Sequence, residues 1–123
     1  MKYEELTGPV IQAAIEVHRI LGPGLLELTY EQCLAHELKQ KDINFKLQHG
    51  LPVEYKEIKL DCGYRIDIFI EEKVIVELKS VDKILPIHEA QILTYMKLAK
   101  VKVGLIINFN VRRLKEGLKR FVL

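Results

Sequence analysis

The sequence predicts an α/β (α+β) protein in which helices pack on a β-sheet. Two segments with helical periodicity come first, several strand-like runs follow, and a further helical segment precedes an almost wholly apolar strand. The chain has 123 residues, of which 49% are hydrophobic and 29% are charged, as is typical of a globular protein. We therefore expect a single domain, residues 1–123, that buries a core without disulfides or a structural metal.

Two helices are predicted in the N-terminal third. Thr7 followed by Gly8 and Pro9 is typical of a helix start, and apolar residues then recur at helical spacing to about Leu21. The glycines and proline of residues 22–24 end this helix. A second helix is predicted over residues 25–39. Its inner face is expected to carry Leu26, Tyr30, Cys33, Leu34 and Leu38.

The rest of the chain alternates between strands and one helix. Strands are expected within residues 45–60, where apolar residues are spaced among polar ones, and at about 64–70 and 74–80, which are rich in Ile, Val, Phe and Tyr. Pro86 begins a helix that continues to about Ala99. Residues 103–109 are apolar almost throughout, which indicates a strand buried on both faces. Residues 114–123 fit either a short helix or an edge strand.

Composition argues against several classes of protein. The formal net charge is only +2, so the charge of the whole chain does not indicate a nucleic-acid partner. No stretch approaches ~18 apolar residues, and the first residues lack the apolar core of a signal peptide. We expect a cytoplasmic protein without a membrane partner, in which Cys33 and Cys62 are reduced. A C-terminal basic cluster is either a solvated face or a phosphate-binding edge. It contains Arg112, Arg113, Lys115, Lys119 and Arg120.

The two most strand-like runs carry unexpected charges. Glu77 and Lys79 share one face of their strand, because side chains two residues apart point the same way. If residues 71–73 form a three-residue loop, Asp67 on the preceding strand lies opposite Glu77, with ~5 Å between their Cβ atoms. A two-residue turn would place Glu77 on the other face, because one step of register inverts every side chain. The three-residue loop is therefore a specific prediction.

Two carboxylates this close favour a cation between them. Mg²⁺ fits, since it binds oxygen ligands and often uses one or two protein carboxylates together with phosphate. The Lys79 ammonium would favour a metal-bound hydroxide and offset charge that develops on a phosphoryl group. The alternative from these residues alone is an Asp67–Lys79 or Arg65–Glu77 ion pair with nothing bound.

Two other segments bear on this choice. His88, Gln91 and Tyr95 lie on one stripe of the helix that begins at Pro86, either as the wall of a polar site or exposed to solvent. In the segment GPGLLELTY, Gly24, Glu27 and Tyr30 are three residues apart. Glu27 falls in the first turn of its helix, where a carboxylate is favoured by the helix dipole whatever its function.

Taken together, these residues resemble the GxxExxY proteins, small bacterial and archaeal members of the PD-(D/E)XK nuclease superfamily. The resemblance rests on Gly24-x-x-Glu27-x-x-Tyr30, on VELKSVDKILPIHEAQILTYMKLAK and on VGLIINFN, and it covers nearly the whole chain. It implies a restriction-endonuclease-like core, in which a central mixed β-sheet is flanked by helices and a metal site lies at the open end of the sheet.

The resemblance also implies roles for individual residues. Asp67 and Glu77 would be metal ligands and Lys79 the catalytic lysine. Glu27 is similar to the helical acid that some superfamily members place beside the metal. Gln91 and Tyr95 resemble the QxxxY element that helps to order the site in a subset of members. The candidates for nucleic-acid contacts are Arg65, His88, Arg112 and Arg113; for His88, a helix-capping role is an equal alternative.

The predicted function is Mg²⁺-dependent hydrolysis of phosphodiester bonds in nucleic acid, with DNA favoured over RNA and Mn²⁺ as a substitute metal. A homodimer would widen the footprint on the substrate. The main alternative is a non-catalytic nucleic-acid or protein binding module with a nuclease-like fold. A third hypothesis is a structural subunit whose charges only form ion pairs.

Overall fold

The computed structural model describes residues 3–123, with side chains from residue 5 onward. Three helices and a five-stranded mixed sheet confirm the predicted fold class. The elements in chain order are α1 (Tyr3–Leu21), α2 (Glu27–Gln40), β1 (Phe45–Gly50), β2 (Val53–Tyr55), β3 (Ile58–Leu60), β4 (Arg65–Ile70), β5 (Val74–Lys79), α3 (Pro86–Ala99), β6 (Val103–Asn108), a 3₁₀ turn (Leu114–Gly117) and β7 (Leu118–Val122).

The main sheet has the strand order β1-β4-β5-β6-β7. Its neighbouring strands are antiparallel except for β5 and β6, which are parallel and are joined by the crossover helix α3. Strands β2 and β3 form a separate antiparallel hairpin. Because β5 and β6 run the same way, Lys79 and Asn108 lie side by side at one end of the sheet.

Helices cover both faces of this sheet, which accounts for the long apolar runs in the sequence. Helices α1 and α2 pack on one face, where Tyr30, Leu34 and Val76 belong to one buried cluster. Helix α3 packs on the other face, where Ile75, Ile92 and Met96 belong to a second cluster. All six residues of β6 are buried, as the apolar sequence predicts. None of the helices in residues 3–123 has the length and apolarity that a membrane span requires.

The predicted start of the first helix at Thr7 is wrong. Helix α1 already includes Tyr3, so that Thr7 lies within the helix and is buried. Leu6 packs in the same core cluster as Val10, one turn further along, and this burial extends the helix toward the N-terminus. Pro9 is tolerated inside the helix at the cost of one backbone hydrogen bond.

The prediction that Leu26 faces the core is also wrong. Leu26 precedes α2 as its N-cap residue, and 76% of its surface is exposed. The other four inner positions are buried or partly buried against the core. The structure also resolves the C-terminal alternatives: a 3₁₀ turn leads into β7, which pairs with β6 and closes the sheet as an edge strand.

Tyr30 fixes the connection between α1 and α2. Its buried hydroxyl donates a hydrogen bond to the Gly22 carbonyl at 2.6 Å and accepts one from the Leu25 backbone N–H at 3.1 Å. Its ring stacks on Phe109, with 4.4 Å between centroids and 6° between planes. The loop before α2 is thus tied to the residue that follows β6.

We expect Tyr30→Phe to lower the free energy of unfolding by about 1–3 kcal/mol, because it leaves two backbone groups of the loop without their partner. Urea denaturation measures this change. Tyr55→Phe is the matched control, since Tyr55 is 57% exposed and its hydroxyl is solvated. Equal effects of the two substitutions would contradict the role assigned to Tyr30.

Candidate active site

The site is built where the hydrogen-bonded ladder between β4 and β5 ends. Ile70 pairs with Val74 and Ile68 with Val76, which confirms the three-residue loop at residues 71–73. Beyond Ile68, the side chains of Asp67 and Glu77 accept hydrogen bonds from backbone N–H groups of the facing strand. Glu77 Oε2 accepts a hydrogen bond from the Asp67 backbone N–H at 2.9 Å, and Asp67 Oδ2 accepts one from the Leu78 N–H at 2.9 Å. The two carboxylates therefore lie across from each other between the strands, as the register predicts.

The strands are distorted at this point. Ile66 packs in the cluster under α3, whereas Ile68 packs in the cluster under α1 and α2, so that strict alternation breaks at Asp67 between them. On the neighbouring strand β1, Gln48 has a φ of 48°, a backbone conformation that residues other than glycine rarely adopt. This distortion lets the Asp67 carboxylate reach both neighbouring strands.

Glu77 is a buried carboxyl group with only 5% of its surface exposed. Its pKa is raised to about 8, mainly because burial disfavours the charged form and then because of the Asp67 charge. The hydrogen bond from the Asp67 N–H and the charge of Lys79 lower the pKa, while the charge of Glu27 raises it. Full ionisation of Glu77 at neutral pH therefore needs an additional cation.

Lys79 lies two residues after Glu77 and is half-buried. None of the salt bridges among the side chains of residues 5–123 involves Lys79, Asp67 or Glu77. Neither the Asp67–Lys79 nor the Arg65–Glu77 ion pair is formed. The charge of Lys79 therefore acts on Glu77 without a direct ion pair between them.

The GxxExxY segment forms the loop and the first turn of α2 beside this end of the sheet. Gly24 has a φ of 96°, which favours glycine. Glu27 is the first residue of α2 and is exposed, and its charge is felt by Glu77. The loop is also tied to β5, because the Ser80 hydroxyl donates to the Leu25 carbonyl at 2.6 Å.

Helix α3 contributes Tyr95 and Gln91. Tyr95 is buried in the cluster that includes Phe69 and Ile75, on the sheet face that carries Glu77, and its hydroxyl accepts a hydrogen bond from Gln91 Nε2 at 3.0 Å. Burial raises the pKa of the Tyr95 hydroxyl, and the charge of Glu77 acts in the same direction. His88 caps its own helix, since its Nδ1 accepts a hydrogen bond from the Leu85 N–H at 3.0 Å.

The three arginines predicted to contact nucleic acid fall in two places. Arg65 is exposed. Its Nη1 donates a hydrogen bond to the Tyr64 carbonyl at 2.9 Å and lies 3.7 Å from Asp61 Oδ1. Arg112 and Arg113 follow β6 at the same end of the sheet as Lys79. Together with Lys115 and Glu116 they line an open cavity of about 590 Å³.

A sequence model described as the PD-(D/E)XK nuclease superfamily matches residues 4–121. The chain belongs to this superfamily. Its nucleases generally use divalent metals. The narrower resemblance to the GxxExxY proteins stays a prediction, because the match is at the level of the superfamily. A search of curated proteins and a search of solved structures found no match.

Within this candidate site, the sequence interpretation missed Glu31 and Gln48. Glu31 is 5% exposed, and its Oε1 accepts a hydrogen bond from Gln48 Nε2 at 2.6 Å. The same amide donates to Asp67 Oδ1 at 3.2 Å. Burial raises the pKa of Glu31, and the Asp67 charge adds to this. The signal was available in part, because Glu31 shares the buried stripe of α2 with Leu34, Ala35 and Leu38.

The donor set fits a divalent metal ion. Asp67 and Glu77 supply hard carboxylate oxygens, which Mg²⁺ and Mn²⁺ accept, and the raised pKa of Glu77 indicates a site short of positive charge. No group of three acidic, histidine or cysteine side chains within the described residues is arranged to hold a metal. A two-carboxylate site completed by water and phosphate is the arrangement that matches both observations.

We expect the stability of the metal-free protein to fall between pH 5 and pH 8. In this window the unfolded chain has lost the Glu77 proton, whereas the folded chain retains it up to a pKa of about 8. The slope approaches about 1.4 kcal/mol per pH unit where the effect is complete. Urea denaturation in EDTA at several pH values measures it.

Glu77→Gln should reduce this slope, leaving the smaller contribution of Glu31. Glu57→Gln is the control, because Glu57 is exposed in the β2–β3 connection. A wild-type stability that is constant from pH 5 to pH 8 would contradict the protonated state of Glu77.

Proposed function

We propose that this protein is a metal-dependent nuclease that hydrolyses phosphodiester bonds in nucleic acid, DNA in preference to RNA, with Mg²⁺ or Mn²⁺ bound. The observation that carries the proposal is the facing pair Asp67 and Glu77, with its excess of negative charge, beside a lysine that no described carboxylate neutralises. Membership of the PD-(D/E)XK nuclease superfamily supports the same chemistry.

Each residue has a role that follows from its position. Asp67 and Glu77 would hold the metal, whose chemistry when bound is to polarise a phosphoryl oxygen and to acidify water. The Lys79 ammonium would orient the attacking water and offset the charge that develops on the phosphate. Glu27, exposed at the start of α2, would add a contact to the metal through water. Gln91 and Tyr95, hydrogen-bonded to each other, would order the side of the site that α3 forms.

The ion-pair hypothesis is disfavoured by the geometry. A structural role for these charges requires the Asp67–Lys79 or the Arg65–Glu77 pair, and the described side chains form neither. The carboxylates bond instead to backbone N–H groups and to Gln48, while Glu77 keeps a raised pKa. Such an arrangement costs stability without a cation, and a functional site is the usual reason for such a cost.

A second candidate, a non-catalytic binding module, is favoured by one observation. The cavity lined by Arg112, Arg113, Lys115 and Glu116 is basic, and the segment that forms it follows β6 at the end of the sheet where Lys79 lies. Phosphate contacts here would position nucleic acid without reading its sequence. Phosphate binding at this surface is all that a binding module requires and would also serve a nuclease, so that cleavage and binding need separate tests.

The purified protein should cleave one or more members of a labelled panel of single-stranded, double-stranded and branched DNA and RNA when Mg²⁺ or Mn²⁺ is present. EDTA and Asp67→Ala should each abolish cleavage. Lys79→Ala should lower the rate by about 100-fold or more, while calorimetric titration with Mn²⁺ shows that metal binding persists.

Lys73→Ala is the matched control for Lys79→Ala, because Lys73 is an exposed lysine at the opposite end of β5. The assigned mechanism fails if Lys79→Ala cleaves as fast as the wild type. Absence of cleavage on every substrate, with binding intact, would favour the binding module.

Replacing Arg112 and Arg113 together by alanine should weaken binding of all nucleic-acid sequences alike, because these contacts are to phosphate. The slope of log K against log salt should become shallower by about 1–2. Fluorescence anisotropy at several salt concentrations measures both effects. Unchanged affinity and slope would rule out this surface as the phosphate-binding edge.

A further inference from the structure

A second cavity, of about 560 Å³, lies along α3. Val53 and Tyr64 line one side. Ile87, Thr94 and Leu98 line the other side, along the outer face of α3. In contrast to the cavity at Arg112, this one is lined mainly by apolar and aromatic side chains.

The cavity shares two residues with the candidate site. Gln91 and Tyr95 line it, and Tyr95 also packs on the sheet face that carries Glu77. Tyr64 lies three residues before Asp67, and its ring meets the Tyr95 ring edge-on, with 5.9 Å between centroids. The charges of Asp67 and Glu77 both act on the Tyr95 hydroxyl, so that this wall of the cavity lies within electrostatic range of the carboxylate pair.

The surfaces on both sides of the carboxylates expose apolar groups. Tyr64 is 45% exposed and Ile87 is 68% exposed beside the cavity. On the side of α2, Leu26 and Leu28 flank Glu27 and expose 76% and 63% of their surfaces. A duplex keeps the faces of its internal bases stacked and offers backbone and base edges, whereas an unpaired nucleotide offers the flat face of a base.

We infer that this cavity, which we call the Tyr64 cavity, is a base-binding subsite and that the substrate is single-stranded nucleic acid. One unpaired base would stack on the Tyr64 ring, with its phosphate directed toward Lys79 and the carboxylate pair. Stacking on an aromatic ring tolerates any base, because every base has a π face. The inference rests on the proposed function, since it names the substrate class of that site.

The test measures binding by fluorescence anisotropy in the Lys79→Ala background, which retains both carboxylates, with Mg²⁺ present. The probes are a labelled 12-nucleotide DNA strand, the same strand in a blunt duplex, and a series of strands that each lack one base. Tyr64→Leu should weaken binding of the single strand by about 5- to 100-fold and leave the duplex unaffected. Tyr64→Phe should bind as the parent does, because it keeps the aromatic face.

Tyr55→Leu is the matched control, because Tyr55 is an exposed tyrosine on the β2–β3 hairpin and is not among the residues that line the cavity. At one position, removal of the base should weaken binding to the parent and have little effect on Tyr64→Leu. This coupling identifies the stacked base and would not arise from a general loss of stability.

Two results would overturn the inference: additive effects at every abasic position, or duplex binding as tight as single-strand binding. A change from dimer to monomer in Tyr64→Leu, seen by analytical ultracentrifugation with unchanged strand binding, would also overturn it, since the cavity would then be an interface between two copies. If the wild-type protein cleaves nucleic acid but this coupling is absent, the proposed nuclease function stands and the base-binding subsite is ruled out. Coupling without wild-type cleavage supports the subsite and contradicts the nuclease.

Discussion

The candidate site depends on two hydrogen bonds between β4 and β5, in which Glu77 accepts from the Asp67 backbone N–H and the Asp67 carboxylate accepts from the Leu78 N–H. The ladder of β4 and β5 stops at Ile68 and Val76, and each carboxylate then accepts a bond from the opposite strand's backbone. The strands can separate at this edge without leaving buried N–H groups unpaired. The same bonds keep the two carboxylates facing each other, and their combined negative charge favours binding of a cation at this end of the sheet.

Neighbouring elements contact this end of the sheet and the loop beside it. Gln48 bridges Glu31 and Asp67 from a backbone conformation that is costly for glutamine. The Tyr30 hydroxyl donates a hydrogen bond to Gly22 in the loop before α2, and the Tyr30 ring stacks on Phe109 just beyond β6. Burial of Glu77 and Glu31, together with the Gln48 strain, lowers stability in the metal-free state. Local costs of this kind are expected where a site is organised for a ligand rather than for stability.

Two cavities of this protein differ in their chemistry. The cavity at Arg112 and Arg113 is basic, whereas the Tyr64 cavity is apolar and aromatic. A nucleotide combines an anionic phosphate with a flat apolar base, so that both surfaces match parts of one ligand. Membership of the PD-(D/E)XK nuclease superfamily describes the fold and the general chemistry, but substrate choice depends on such flanking surfaces.

The sequence by itself determined the elements whose patterns are local. The three-residue loop at residues 71–73, the helix that begins at Pro86 and the doubly buried strand β6 follow from side-chain alternation, proline geometry and continuous apolarity. The facing of Asp67 and Glu77 follows from that loop. Only the tertiary structure decided the start of α1 and the exposure of Leu26, because packing overrides capping and periodicity near helix ends. It also decided the strand at residues 118–122 and the place of Glu31 and Gln48. Pairing with β6 and contacts between residues far apart in the sequence leave no local pattern to read.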